Sequence, residues 1–198
     1  MEIPSERFCF DLILKMGMLD HIVDHSVMVC RVAVSLTRRL KVRGVYLNSR
    51  LIRASALLHD ITKTRSFETG EEHSRTGGEL VGALGFREVG EVIRQHVYLD
   101  RYDFSAPPTE AEIVNYADKR VLHDKVALLS DRMAYIMARY GDAPEKRIRI
   151  RNGGKQIRQL EEKLFSTIPF PAEELKRFVV DEGMKKAFCE YRKGFLNP

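Results

Sequence analysis

Apolar residues in this sequence recur three and four positions apart almost from end to end, while runs of alternating Val, Ile or Tyr are nearly absent. That spacing turns one face of a helix toward a core, so the chain is expected to be all-α. Ser5 is a good N-cap for a first helix to about Lys15, and Met16-Gly17-Met18 breaks it. A second helix is expected from Asp20 to about Leu40 and a third, capped by Asn48, to near Ile61. Thr62 to Glu72 is polar and reads as a loop. Short helices over about 73–84 and 87–96 follow, the first closed by Gly85. Thr109-Glu110-Ala111-Glu112 is a capping box, and opens a long helix expected to run to about Tyr140. Gly153-Gly154 separates a basic stretch from a further helix, and Pro169 and Pro171 break that helix before a last amphipathic one near Ala172.

With 198 residues, the chain suits one compact domain with a helical appendage. We divide it into an N-terminal helix (1–17), a helical domain carrying the chemistry (18–140), and a basic linker with C-terminal helices packing on that domain (141–198). Hydrophobic residues at 44% and charged residues at 31% place it among soluble globular proteins rather than disordered ones. No window approaches the roughly 18 apolar residues of a membrane span. The first ten residues lack a signal-peptide layout, and three widely spaced cysteines argue against a disulfide framework. A cytoplasmic location is expected. The net charge of +5 is local: Lys146, Arg147, Arg149, Arg151, Lys155 and Arg158 fall in one stretch without an acid. Such a stretch meets phosphates, nucleic acid or an acidic partner, or is a solvated face.

The informative residues are the histidines and the carboxylates near them. Leu57-Leu58-His59-Asp60 sets an adjacent His and Asp at the end of an apolar helix. Taken alone, that pair reads as an exposed helix end; the rest of the array changes the reading. His25 lies mid-helix in a valine-rich segment, His73 opens a helix and His96 ends one. Asp118 stands among Val114, Val121 and Leu122, and a carboxylate there needs something positive facing it.

These residues, in this order, resemble the HD-domain superfamily of metal-dependent phosphohydrolases, whose pattern is a His, a His-Asp doublet and an Asp. Here those are His25, His59-Asp60 and Asp118. His59-Asp60-Ile61-Thr62-Lys63 is similar to the His-Asp-Ile-Gly-Lys string of the HDIG subgroup, with Thr62 for the glycine. Glu72-His73, Gly77-Gly78, Leu84-Gly85-Phe86 and His96 match members with an extra His pair. The resemblance covers about residues 18–140 and implies an HD-domain-like helical bundle with a C-terminal helical extension. It implies that His25, His59, Asp60 and Asp118 bind one metal, and that His73 and His96 hold a second with Asp60 bridging. One or two divalent transition metals (Fe, Mn, Co, Ni or Zn) suit imidazole and carboxylate ligands. The implied activity is hydrolysis of a phosphoester or phosphoanhydride through a metal-activated water. Asp60 and Lys63 are then the catalytic candidates, and the substrate is a nucleotide or another small phosphorylated metabolite.

Lys63, Lys125 and Arg132 are candidates for holding substrate phosphate. Lys125 is chosen because, on a continuous helix, it lies seven residues past Asp118, and Arg132 follows by the same spacing. His21 is read as a bystander or a substitute ligand, the second doublet, His123-Asp124, as a surface feature or a support behind the ligands, and Tyr98, Tyr102 and Phe104 as packing their loop onto the helices. The alternative function is a metal-containing binding or regulatory module that engages RNA or an acidic partner through residues 146–158. No membrane partner is expected.

Overall fold

The computed structural model describes residues 2–180 and 183–196. Helix α1 (Glu6–Lys15) is capped by the Ser5 hydroxyl, which accepts from the Phe8 amide. After a turn at Gly17, α2 (Asp20–Val42) runs the length of the core. α3 (Ser49–Leu58) starts at Asn48, whose side chain accepts from the Leu51 amide, and buries Leu51, Ile52, Ala54, Ala56, Leu57 and Leu58. A helix apolar on nearly all sides must sit in the middle, and α3 does, against α1, α2, α6 (Arg87–Arg94) and α7 (Glu110–Lys119). Between α3 and α6 lie α4 (Lys63–Thr69) and α5 (His73–Ala83). α5 and α6 form a tight pair because Gly78 and Gly90 face each other: a Cβ on Gly90 would stand 2.5 Å from the Gly78 carbonyl oxygen. The expected capping box is present, Thr109 and Glu112 each accepting from the other's amide.

Several expectations need correction. The polar stretch 62–72 is not a simple loop, since α4 occupies most of it and ends at Gly70 with φ +70°. The long helix expected from 109 to 140 is broken. α7 stops at Lys119, a hairpin of β1 (Val121–Leu122) and β2 (Lys125–Val126) follows, and α8 (Leu129–Tyr140) resumes. His123 turns the hairpin at φ +55°, and the Arg120 side chain, almost wholly buried, holds it by donating to the Ala127 carbonyl and pairing with Glu161. The basic segment is not a linker. It is the first half of α9 (Pro144–Phe165), a continuous helix with Gly153 and Gly154 inside it.

The C-terminal part is fastened by buried charge. α9 lays Ile157, Leu160 and Leu164 on the core, and Lys163 pairs with Glu112 at 2.9 Å. A 3-10 helix (Ala172–Phe178), rather than the start of the last helix, follows the prolines. α10 (Met184–Leu196) closes against α1, with Phe188 edge-on to Phe10 and the Tyr191 hydroxyl donating to Asp11 at 2.6 Å. No helix among the described residues is long and apolar enough to cross a membrane.

Candidate metal centre

Five elements deliver one cluster. α2 brings His25, the end of α3 brings His59 and Asp60, α5 brings His73 at its first residue, the end of α6 brings His96, and α7 brings Asp118. His59, Asp60, His96 and Asp118 are buried, and His25 is 8% exposed. Two groups of ligand atoms, each mutually within 4.8 Å, emerge: His25, His59 and Asp60, and Asp60, His73 and His96. Asp60 belongs to both.

The Asp118 Oδ1 lies 3.0 Å from His25 Nε2 and 3.9 Å from His59 Nε2. Asp60 Oδ2 lies 3.5 Å from His59 Nε2, while Asp60 Oδ1 stands 3.2 Å from His73 Nε2 and 3.5 Å from His96 Nε2. Ligand atoms bound to one cation at about 2.1 Å stand roughly 3 to 3.5 Å apart, so these spacings fit a shared ion.

The backbone fixes which nitrogen faces inward. His25 Nδ1 is 2.8 Å from the His123 carbonyl, His59 Nδ1 is 2.8 Å from that of Ala56, and His96 Nδ1 is 2.7 Å from that of Ile93. Each Nδ1–H therefore donates to a carbonyl and each neutral ring turns the Nε2 lone pair to the centre, as metal-binding imidazoles do. The consequence is that particular inward-facing acceptors lack a donor. His59 Nε2 and Asp60 Oδ1 are buried with no hydrogen-bond partner, and His73 Nε2 lies 3.2 Å from His96 Nε2. Buried orphan acceptors cost about 1–3 kcal/mol each, and a cation satisfies all of them at once. The residues present fit a divalent metal.

Electrostatics hold the ligands in their binding forms. Burial pushes the His59 pKa down to about 3, against the pull of Asp60, and burial likewise lowers His96. Burial pushes the Asp60 carboxyl up, but the Lys63 charge beside it holds it well below the usual range. For Asp118, burial is likewise outweighed by Lys119 and Arg132. Neutral imidazole and ionised carboxylate are the forms a metal binds.

A cavity of about 370 Å³ opens over this floor. His73, His96 and Asp118 reach its surface, while α8, α9 and residues 97–99 form the far walls. Lys63 lines it with Nζ 3.1 Å from Asp60 Oδ2, and Arg132 lines it with Nη2 3.4 Å from Asp118 Oδ1. Arg132 thus reaches the cavity by a different route from the helical spacing that suggested it. Lys125 does not line it. On β2 it is exposed, because the hairpin destroys the continuous helix on which its seven-residue spacing from Asp118 depended. His21 is exposed and belongs to neither ligand group.

Other residues enter that the sequence did not flag. Lys119 Nζ donates to Asp118 Oδ2 at 2.5 Å and to the His96 carbonyl at 3.0 Å. The Asn115 amide donates to the carbonyls of Gln95 and His96. Asn115, Asp118 and Lys119 share a helix face by their spacing, which was the available signal. Tyr98 lines the cavity instead of packing its loop, whereas Tyr102 does pack, with its ring against the Lys163 ammonium. Arg149 also lines the cavity, but only the register of α9 shows it.

Comparison with known proteins agrees with this geometry. The family model for the HD domain matches residues 22–121. An uncharacterised protein of Methanocaldococcus jannaschii is 28% identical over 117 residues, covering 56% of this chain and 68% of that protein. A tRNA (cytidine(56)-2′-O)-methyltransferase of Thermoplasma volcanium is 29% identical over 96 residues, which is 48% of this chain and 26% of the methyltransferase. The chain therefore spans about a quarter of that enzyme's length. No solved structure gives a significant match.

Proposed function

Because this chain belongs to the HD-domain family, we propose that it is a metal-dependent phosphohydrolase of the HDIG type acting on a nucleotide or another small phosphorylated compound. The observation that carries the reading is Asp60. It is a buried carboxylate with an unpartnered oxygen, shared by two histidine groups beneath a cavity lined with cations. His25, His59, Asp60 and Asp118 would hold one ion, and Asp60, His73 and His96 a second. Bound there, Fe, Mn, Co, Ni or Zn supplies Lewis acidity and a water acidic enough to serve as nucleophile near neutral pH.

The protein's own groups do the rest. Lys63 and Arg132 sit at the cavity surface beside Asp60 and Asp118, within reach of phosphoryl oxygens placed on the floor. They balance the negative charge that grows there as the ester is attacked. Lys119 and Asn115 clamp the His96 carbonyl and so hold that ring in position.

The test is hydrolysis of a nucleotide and phosphoester panel by purified protein supplied with each metal in turn. We expect turnover that chelation removes and metal restores, and that Asp60→Ala abolishes in a folded chain. Full activity in Asp60→Ala overturns the reading.

A second reading is favoured by one feature. Arg151, Lys155 and Arg158 form an exposed stripe on α9, on the side away from Arg149, Gly153 and Gln156. That stripe suits RNA or an acidic partner, and one relative is a tRNA methyltransferase. Salt-sensitive RNA retention, unchanged in Asp60→Ala and lost in an Arg151→Glu/Lys155→Glu double variant, supports it.

A further inference from the structure

A second acid-free stretch, longer than the one in α9, is used by neither reading. Between Asp24 and Asp60 there is no acid, and there are seven Lys or Arg, a surplus larger than the +5 net charge of the whole chain. Folding gathers them. Where α2 turns into α3, Arg38 and Lys41 of the one helix and Arg50 and Arg53 of the other line a cavity of about 360 Å³ that no acid lines. Arg38 also borders a depression beside Arg31 and Arg39, and Arg50 and Arg53 border a third beside Glu6. Glu6, the one acid among the described residues lining this row, pairs with Arg53 at 3.4 Å. The Lys41 ammonium and the Arg50 guanidinium have no hydrogen-bond or ion-pair partner among the described residues.

Helix ends explain only part of this charge. Arg39 and Lys41 lie in the last turn of α2, where the helix dipole favours cations. Arg50 stands in the first turn of α3, where a cation is disfavoured and no acid offsets it. From Arg31 to Lys41 the cations span roughly 15 Å of α2 at 1.5 Å per residue. That is too far for one phosphate to touch, and suits a strand that repeats its phosphates. Tyr46, at the cavity rim, is 78% exposed and sets an aromatic face amid the charge, on which an unpaired base can stack. The row is remote from the metal centre. Arg50 is nine residues from His59 along α3 and Lys41 sixteen from His25 along α2, roughly 14 Å and 24 Å.

We propose that this basic groove binds single-stranded nucleic acid, with successive phosphates on Arg38, Lys41, Arg50 and Arg53 and a base on Tyr46. It is a site apart from the metal centre and from the exposed stripe on α9, and it stands whether or not the chain is a phosphohydrolase.

The experiment measures binding of short fluorescent oligo(U) and oligo(dT) to the full chain by anisotropy, across a range of salt. Wild type should bind, and bind less tightly as salt rises. Lys41→Gln/Arg50→Gln should weaken binding about tenfold and lower the salt slope by about 1.4, the counterions of two single-strand phosphates. Tyr46→Ala should weaken it about fivefold or more and leave the slope unchanged. All three side chains are exposed, so melting temperatures and bound metal should match wild type and show that the variants fold. Tighter binding of oligo(U) than of oligo(dT) assigns RNA as the ligand, and the reverse DNA. Unchanged binding in Lys41→Gln/Arg50→Gln overturns the proposal, as does loss of binding in Arg151→Glu/Lys155→Glu alone, which would give the ligand to α9. No binding even at low salt overturns it too. So does inorganic phosphate or uridine monophosphate competing as well as the oligonucleotide, or a duplex of equal length binding as tightly.

Discussion

The chain writes His-Asp twice, and the two copies have opposite fates. His59-Asp60 ends a helix buried on almost every side, so both side chains are sealed in the core, with an imidazole nitrogen and a carboxylate oxygen left unpartnered. His123-Asp124 turns a two-residue hairpin, and both side chains are exposed. What the second copy contributes is main chain: the His123 carbonyl accepts from His25 Nδ1 and sets the tautomer of a ligand in the first copy's cluster. Identical residue types thus become either a candidate ligand pair or a support for one, according to the element that carries them.

The largest expected effect separates the two doublets. Asp60→Ala removes the carboxylate common to both ligand groups, and should lower bound metal below one ion per chain and phosphoesterase activity by on the order of 10³-fold or more. Asp124→Ala should change neither. Elemental mass spectrometry of protein purified with metal, with turnover on the same samples, checks both. Equal losses in the two variants would erase the distinction.

Acid should sharpen it. His59 has a folded pKa near 3 against about 6.5 when unfolded, so between those values the unfolded chain binds more protons. The stability this group contributes is fully present above pH 6.5 and declines as the pH falls toward 3. His96 is shifted in the same direction, and the lowered carboxyls of Asp60 and Asp118 add a further loss below their ordinary range near pH 4. The denaturation midpoint of chelated protein is therefore expected to drop steadily from pH 7 to 5 and more steeply below 4. His59→Gln should flatten the upper part of that slope and His123→Gln should not. A midpoint constant from pH 7 to 5 would contradict the burial of His59.

How far the sequence carried follows from which signals are local. The capping box at Thr109, the caps at Ser5 and Asn48, and the all-helical character depend on neighbours within a turn, and all are found. The His25, His59, Asp60, His73, His96 and Asp118 set was legible because the family pattern orders residues that the fold then brings together. Periodicity failed at 120–128, where Val121, Leu122 and Val126 continue an apolar rhythm that suits a strand as well as a helix. What decides for the hairpin is tertiary, the buried Arg120 reaching Glu161 on α9. The same failure misplaced Lys125, and Gly153-Gly154 misled because a glycine pair marks a helix end more often than a helix interior facing a cavity.

Arg132 and Lys125 turn that failure into a measurement. Arg132 is largely buried at the cavity and touches Asp118, so Arg132→Ala should raise KM for a phosphoester by roughly tenfold, as expected for a lost charged contact. Lys125→Ala, on the exposed hairpin, should leave kcat and KM unchanged. A KM increase in Lys125→Ala alone would mean that substrate reaches past the cavity onto the hairpin.

The smallest expected effect is at the hairpin tip. His123 adopts φ +55°, a conformation that costs a non-glycine residue about 1 kcal/mol and glycine almost nothing. His123→Gly removes that cost but adds freedom to the unfolded chain worth about 0.4–1 kcal/mol, so the two changes nearly cancel. The melting temperature should move by no more than a few degrees. The carbonyl that receives the His25 proton is kept, so metal affinity should stay within twofold of wild type. A tenfold loss of metal affinity in His123→Gly would show that the His123 imidazole itself serves the centre, and the two doublets would then differ in position but not in kind.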